Sequence, residues 1–225
     1  TGIFYLCILP STVSTSVVMV SIAGGNIPAA IFNASLSAIT GVFITPIWMS
    51  MILHSTGTEM DTSGILFKLT IQILLPVVLG MLLHSRLWPG LEKFKSKLRV
   101  FDQLVILAIV YTSFAHSFIN KAFSGFSFNF LLLLSLGMIA LFFFVFGLLY
   151  FVSTVSGFNK EDRSTVVFCG SKKSLAHGAV MASIFFQYAA TAGVILLPLM
   201  IYHSLQIVFA GMLAGWIKRK NEING

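Results

Sequence analysis

Charged side chains are scarce in this sequence. Asp, Glu, Lys and Arg together account for 9% of the 225 residues, whereas hydrophobic residues account for 57%. Soluble domains carry about 25% charged residues, so this composition excludes a soluble globular domain. It predicts an all-α integral membrane protein with several spans, whose largest partner is the lipid bilayer.

Cysteine is also rare, and its placement excludes two further classes of protein. Cys7 and Cys169 are the two cysteines, and both lie inside apolar segments without the spacing of metal ligands. The sequence therefore predicts neither a disulfide framework nor a zinc site.

Acidic residues number seven against 14 Lys and Arg, which gives a formal net charge of +7. Such a balance can indicate nucleic-acid binding. Here, however, ten of the 14 basic residues lie beside the ends of apolar segments, which is the pattern of membrane topology. We therefore expect no nucleic-acid partner.

Seven apolar segments are long enough to cross a hydrocarbon core of about 30 Å. In the alternation of spans, the link 23–28, the loops 86–99 and 154–163 and the C-terminus share the side that holds the ten basic residues. The positive-inside rule places that side in the cytoplasm, at a plasma or inner membrane. The predicted spans are 3–22, 27–53, 64–84, 102–118, 129–153, 164–187 and 191–217.

Two adjacent lysines interrupt the sixth predicted span. Lys172 and Lys173 follow Gly170 and Ser171 and precede Ser174, near the predicted middle of the membrane. A lysine there costs about 2.5 to 3.5 kcal/mol on insertion scales, so it indicates a functional site. The run is also poor helix sequence, and irregular backbone at this depth occurs where it lines a buried or watery cavity. We predict a broken helix at a solute site.

The first predicted span has a similar interruption. Pro10 is followed by a hydroxyl cluster over 11–16, and proline removes a backbone donor from a helix. Two interrupted helices in matching positions are typical of inverted-repeat transporters, whose site lies where the two helices cross. The following span carries polar residues, including Asn33 and Ser37, along one side.

The lysines have two readings, as an anion or coupling site or as charges buried against a carboxylate. All seven carboxylates lie in loops, at span ends or in the tail, so the positive charge is available to a substrate anion or to proton exchange. Structural hydrogen bonding is the more common role for histidines in spans, and His177 is the best exception because it lies four residues from Lys173. The candidate substrate or coupling-ion residues are Lys172, Lys173, Ser174, Ser171, His177, Ser14, Ser16, Thr12, Asn33 and Ser37.

Three stretches resemble the bile acid:sodium symporter family, and within it the branch that contains the seventh member of solute carrier family 10 and bacterial homologues. They are LPSTVSTSVVM with GGNIPAAIFNASLSAITGVFITP within 9–46, FCGSKKSLAHGAVM at 168–181 and LLPLMIYHSLQI at 196–207. The resemblance implies ten helices in two inverted repeats, of which this chain holds the fourth to tenth. We therefore expect it to be the C-terminal part of a longer protein.

The resemblance also implies a domain division. Residues 1–53 and 129–217 correspond to a core domain, residues 64–118 to a panel domain, and residues 218–225 to a cytoplasmic tail. In the sodium site of coupled relatives, Ser16 matches a serine, whereas Val17, Ala30 and Ala34 replace ligands. The ninth-helix pattern Glu-x-x-x-Gln-Asn-Ser is represented by Lys172, Lys173 and Ser174, so a lysine ammonium stands where a sodium ion sits in relatives.

These observations predict a secondary active transporter of a small organic anion, bile-acid-like or another carboxylate or sulfate, with Na+ or H+ as candidate coupling ions. We expect no enzyme activity and no other cofactor, and the oligomeric state stays open. The alternative is a non-transporting membrane regulator of ion homeostasis. A Schiff-base pigment is disfavoured because the spans hold no acidic counter-ion. A GxxxG motif at 211–215 predicts close helix packing.

Overall fold

The computed structural model describes residues 1–55, 75–186 and 191–223, together with Gly64, Phe67 and Ile71. These residues are helical apart from turns and short connections. The helices are α1 (Gly2–Ile8), α2 (Val13–Ile22), α3 (Ile27–Ser55), α4 (Leu75–Leu91), a 3₁₀ turn (Glu92–Phe94), α5 (Lys95–Ile119), α6 (Phe128–Val155), α7 (Lys160–Gly170), α8 (Leu175–Phe185) and α9 (Ala192–Ile223).

Four of these helices contain segments long and apolar enough to cross a membrane. A fifth span arises if α1 and α2, which are bent by 65° at their junction, are counted together. The predicted all-α polytopic membrane fold is thus confirmed, and the inverted repeat stays a prediction. The four segments are Ile27–Met51, Ser96–Ile119, Phe128–Val155 and Ala192–Lys220, which correspond to four of the seven predicted spans.

The prediction of a loop over 86–99 is wrong. α4 continues to Leu91, a 3₁₀ turn follows, and α5 already begins at Lys95. Lys, Arg, Glu and Leu all favour helix, so a basic sequence marks where a chain leaves the membrane core and not where its helix ends. Most of the predicted span 64–84 lies outside the described residues.

Exposed apolar side chains cover the outer faces of α3 and α6. Phe32 is 66% exposed, Leu133 70% and Phe144 67%. Monomeric soluble proteins rarely expose apolar surfaces of this extent, which are typical of contact with lipid or another apolar partner.

The buried face of α9 forms the centre of the core. Leu196, Leu199, Tyr202, Gln206 and Ala210 recur every three or four residues and are almost completely buried. This face contacts α1, α2, α5, α6 and α8. α9 therefore holds both interrupted helices from one side.

Two connections predicted to share one side of the membrane do meet. The Asn26 amide Nδ2 donates to Asp162 Oδ1 over 2.9 Å, and the Asn26 backbone N–H donates to Thr165 Oγ1 over 3.0 Å. Asn159 caps α7 by accepting from the backbone N–H of Asp162. The link after α2 and the start of α7 are therefore fixed to each other.

The prediction of close packing at the GxxxG motif is wrong for the described residues. A Cβ atom at Gly215 would meet nothing within 4 Å, and one at Gly211 would meet only Met19 Cε at 3.8 Å. The close approach is at Gly41 instead, where a Cβ would lie 2.7 Å from both Cβ and Cγ of Pro10. A rigid proline ring at the α1–α2 junction thus packs directly on the backbone of α3.

Gly41→Ala is expected to lower the thermal unfolding midpoint of the full-length protein. Overpacking of this kind costs about 1 to 3 kcal/mol, because the Pro10 ring cannot rotate away. The matched control is Gly215→Ala, which has open space and gains helix propensity of up to about 1 kcal/mol. Equal midpoints for the two variants in detergent would contradict the close approach.

Candidate functional site

Both predicted helix breaks are present, and they lie against each other. α1 ends at Ile8 and α2 begins at Val13, while α7 ends at Gly170 and α8 begins at Leu175. The backbone N–H of Ser174 donates to the carbonyl of Pro10 over 3.0 Å. The Ser11 hydroxyl donates to the carbonyl of Cys169 over 2.5 Å. Each break thus supplies hydrogen-bond partners to the other.

Lys173 binds carbonyl oxygens at the end of α1. Its ammonium Nζ donates to Cys7 O over 2.6 Å and to Leu9 O over 2.9 Å. The last carbonyls of a helix have no partner inside that helix, and at membrane depth water cannot replace it. The Lys173 ammonium supplies a hydrogen bond to two of these oxygens, although Lys173 is 166 positions from Cys7 and 164 from Leu9 in the chain.

A threonine on α3 satisfies the carbonyl between them. The buried Thr45 hydroxyl donates to Ile8 O over 2.9 Å. With the Ser174 bond to Pro10, each carbonyl from Cys7 to Pro10 has a donor from another element. These four carbonyl oxygens are therefore satisfied although the backbone of the break is not helical.

Lys172 binds the first turns of α2. Only 1% of this side chain is exposed, and its Nζ donates to Thr15 O over 2.8 Å. The hydroxyls Thr15 Oγ1 and Ser16 Oγ are buried and have no hydrogen-bond partner among the described residues. Unsatisfied buried hydroxyls next to an ammonium group indicate a place where a solute or ion completes the hydrogen bonding.

α9 holds the second break through an amide side chain. Gln206 Oε1 accepts from the backbone N–H of Lys173 over 2.8 Å, and Gln206 Nε2 donates to Lys173 O over 2.8 Å. Nε2 also lies 2.9 Å from His203 Nδ1. Because an amide nitrogen only donates, His203 Nδ1 is the acceptor and its ring proton is on Nε2. Tyr202 completes the contact by donating to Ser171 O over 2.7 Å.

The predicted site residues divide into three groups. Lys173 and Ser37 bind the first break, since Ser37 Oγ accepts from the backbone N–H of Ser11 over 3.0 Å, and Lys172 binds the first turn of α2. Ser174 caps α8, and its hydroxyl lies 3.0 Å from His177 Nδ1 within the first turn of that helix; a role of His177 in solute binding stays a prediction.

The remaining residues lie apart from the lysine contacts. Ser171 Oγ donates within its own helix, to Val167 O over 2.7 Å. Ser14 and Asn33 are exposed, and Thr12 is partly buried at the N-cap of α2 without a side-chain capping bond. Ser16 is fully buried beside the Lys172 contact.

Thr45, Tyr202 and Gln206 were not among the predicted site residues. Gln206 carries an amide in the middle of an apolar span, and Thr45 directly precedes a proline in another. A survey of every hydrogen-bonding side chain at membrane depth would have found both. The sequence contains no signal for which backbone group each one binds.

The electrostatics of the site are positive. Among the described residues, no carboxylate pairs with Lys172 or Lys173, and Glu161 and Asp162 lie in the first turn of α7. Two further helices begin at the crossing, α2 at Val13 and α8 at Leu175. Each amino end carries about half a positive charge, but the carboxyl ends of α1 and α7 lie at the same crossing and carry the opposite charge, so the positive charge of the site comes from the two ammonium groups.

Comparison with known proteins places these features in a family. The family model of the SBF-like CPA transporter family matches residues 1–219. "Putative symporter YfeH" of Escherichia coli is 38% identical over 98% of this chain and 66% of its own length. "Sodium/bile acid cotransporter 7" of Rattus norvegicus is 32% identical over 93% of this chain and 62% of its own length. The chain therefore spans less than two thirds of the length of these relatives.

Proposed function

Because this chain belongs to the SBF-like CPA transporter family, we propose that it forms most of a secondary active transporter of a small organic anion. The family name and the relatives' names describe transporters, in agreement with the expectation that the protein is not an enzyme. The substrate class is a carboxylate or sulfate of bile-acid-like character. The binding position is the crossing of the two broken helices.

The observation that carries this proposal is the binding of Lys172 and Lys173 to the carbonyls of the opposite broken helix. Transporters with discontinuous helices hold their coupling cations on unwound carbonyls and on the carboxyl ends of half-helices. Here Lys173 donates to carbonyl oxygens of this kind, those of Cys7 and Leu9, whereas Lys172 donates to the Thr15 carbonyl in the first turn of α2. We infer that the lysines act as tethered cations in place of bound sodium.

The positive charge of the crossing supports an anionic substrate. The two ammonium groups have no carboxylate partner among the described residues. The unsatisfied hydroxyls of Thr15 and Ser16 offer further hydrogen-bond donors to a carboxylate or sulfate oxygen. Alternating access would move the core, residues 1–53 and 129–217, against the panel, residues 64–118.

Solute uptake into proteoliposomes tests the function directly. The full-length protein is reconstituted, and labelled taurocholate and estrone sulfate are offered under an imposed proton gradient or an imposed sodium gradient. We expect saturable uptake of at least one anion that is independent of the sodium gradient. Uptake no faster than in protein-free vesicles for both anions would contradict a bile-acid-like substrate.

A further inference from the structure

A cavity lies between the carboxyl ends of α6 and α9 and the amino end of α7, away from the break that holds the two lysines. Its volume is about 540 Å3. Its walls include Phe146, Tyr150, Arg163, Leu213, Trp216 and Lys220. Cavities of about 300 to 1,000 Å3 are the size that binds small ligands. Neither lysine of the crossing lines it.

Three cations and no carboxylate are among the described residues that line this cavity. The cations are Lys160, Arg163 and Lys220. The nearby Asp162 carboxylate is engaged elsewhere, because its Oδ1 accepts from Asn26. The cavity therefore has a strongly positive polar end.

Arg163 is only partly satisfied. Its Nη2 donates to Phe158 O over 3.1 Å, and its guanidinium lies 5.5 Å from the centre of the Tyr150 ring. Its Nε is buried without a hydrogen-bond partner among the described residues. A buried guanidinium N–H without an acceptor indicates a missing anion, since an unmade bond to a charged group is costly.

The wall residues indicate a position at the membrane surface. Lys220 Nζ lies 5.1 Å from the centre of the Trp216 ring, and Tyr150 lies at the same end of the cavity. Trp and Tyr are enriched at the level of the lipid headgroups. Phe146 and Leu213 extend the walls as an apolar surface. The cavity thus has a cationic end and an apolar end, as an amphiphilic anion requires.

We propose that this cavity binds one molecule of an anionic phospholipid. The phosphate contacts Arg163, Lys160 and Lys220, and an acyl chain lies along Phe146, Gly147 and Leu213. Basic pockets between membrane helices bind the headgroups of acidic lipids through charge-assisted hydrogen bonds. This site is independent of the proposed transport function, because neither lysine of the crossing lines the cavity.

The test measures thermal unfolding of the full-length protein in detergent, with dioctanoyl phosphatidylglycerol as the probe. A ligand that binds only the folded state raises the midpoint saturably. We expect such a rise with phosphatidylglycerol and none with dioctanoyl phosphatidylcholine or inorganic phosphate. An equal rise with phosphatidylcholine would overturn the anion selectivity, and an equal rise with phosphate alone would overturn the lipid.

Two variants locate the site. Gly147→Leu fills the cavity without changing charge, and its new Cβ meets no atom within 4 Å, so the helix should fold. Arg163→Gln with Lys220→Gln removes two positive charges. Each variant should weaken phosphatidylglycerol binding at least tenfold.

Each variant has a matched control. Gly137→Leu lies on the same helix with equally open space but outside the cavity. Lys97→Gln with Arg219→Gln removes two exposed charges that do not line it. Both controls should stay within twofold of the wild type. Unchanged binding in Gly147→Leu, or equal weakening in either control, would overturn the proposal.

Discussion

Lys173→Met is expected to abolish anion transport and to lower the thermal unfolding midpoint of the full-length protein. Methionine keeps the length and apolar stem of the lysine but removes the ammonium that binds Cys7 O and Leu9 O. An unsatisfied buried carbonyl costs about 1 to 3 kcal/mol, and the buried Leu9 carbonyl should account for most of the loss. The decrease of the unfolding midpoint should be measured in detergent, and anion uptake should be measured in proteoliposomes.

The control for this prediction is Lys93→Met. Lys93 is exposed and its ammonium lies 5.6 Å from the centre of the Phe94 ring. Its loss should change stability by less than about 0.5 kcal/mol, as for most surface substitutions. If Lys173→Met retained wild-type stability and uptake, the carbonyl contacts would have no importance for either property.

A second comparison separates structural support from transport. Lys173→Arg keeps a positive donor at the same place, although its planar fork differs in geometry from an ammonium group. We expect it to restore most of the stability but little of the uptake. Full uptake in this variant would show that charge alone is sufficient at this position.

The sequence was sufficient to predict the two breaks. Charge at membrane depth is so unfavourable that Lys172 and Lys173 identify irregular backbone without any structure. Pro10 does so only together with the hydroxyl cluster that follows it, since Pro46 and Pro198 lie inside continuous helices. The same reasoning failed for the segment 86–99, which is rich in charge but helical on both sides of a three-residue 3₁₀ turn. The cost of burying a charge in the membrane and the tendency of a sequence to end a helix are different physical quantities.

The partners within the site could not be predicted. Lys173 and Leu9 are 164 positions apart, and Thr45 and Ile8 are 37 apart, so only the folded crossing brings them together. Residues four apart also share a face of a helix without meeting the same neighbours. Asn33 and Ser37 lie four residues apart, yet Ser37 binds the break while Asn33 is exposed.

The second large effect concerns sodium. The wild-type protein should show no sodium-specific rise in its unfolding midpoint, with potassium used to hold the ionic strength constant. Lys172→Gln combined with Lys173→Asn should gain one. The double substitution frees the carbonyls of Cys7, Leu9 and Thr15 and restores the Gln-Asn-Ser order of the sodium-coupled relatives.

The physical reason is that these oxygens suit a hard cation once the ammonium groups are gone. Carbonyl, amide and hydroxyl oxygens bind such cations, and Ser16 adds a buried hydroxyl without a partner. Sodium at 100 times its dissociation constant would stabilise the variant by about 2.7 kcal/mol. Lys172→Met with Lys173→Met is the matched control, since it frees the same carbonyls but supplies no side-chain oxygen, and it should respond more weakly.

The double variant therefore distinguishes two roles of the buried ammonium groups, replacement of a bound cation and structural support of the helix ends. If the lysines replace a cation, the double variant depends on sodium for the stability that the wild type obtains from covalently attached charge. If the lysines only stabilise the helix ends, the double variant has a lower unfolding midpoint and sodium does not raise it. A sodium response in the wild type would contradict the replacement of a cation by the lysines, because sodium would then bind a protein whose carbonyls already hold two ammonium groups.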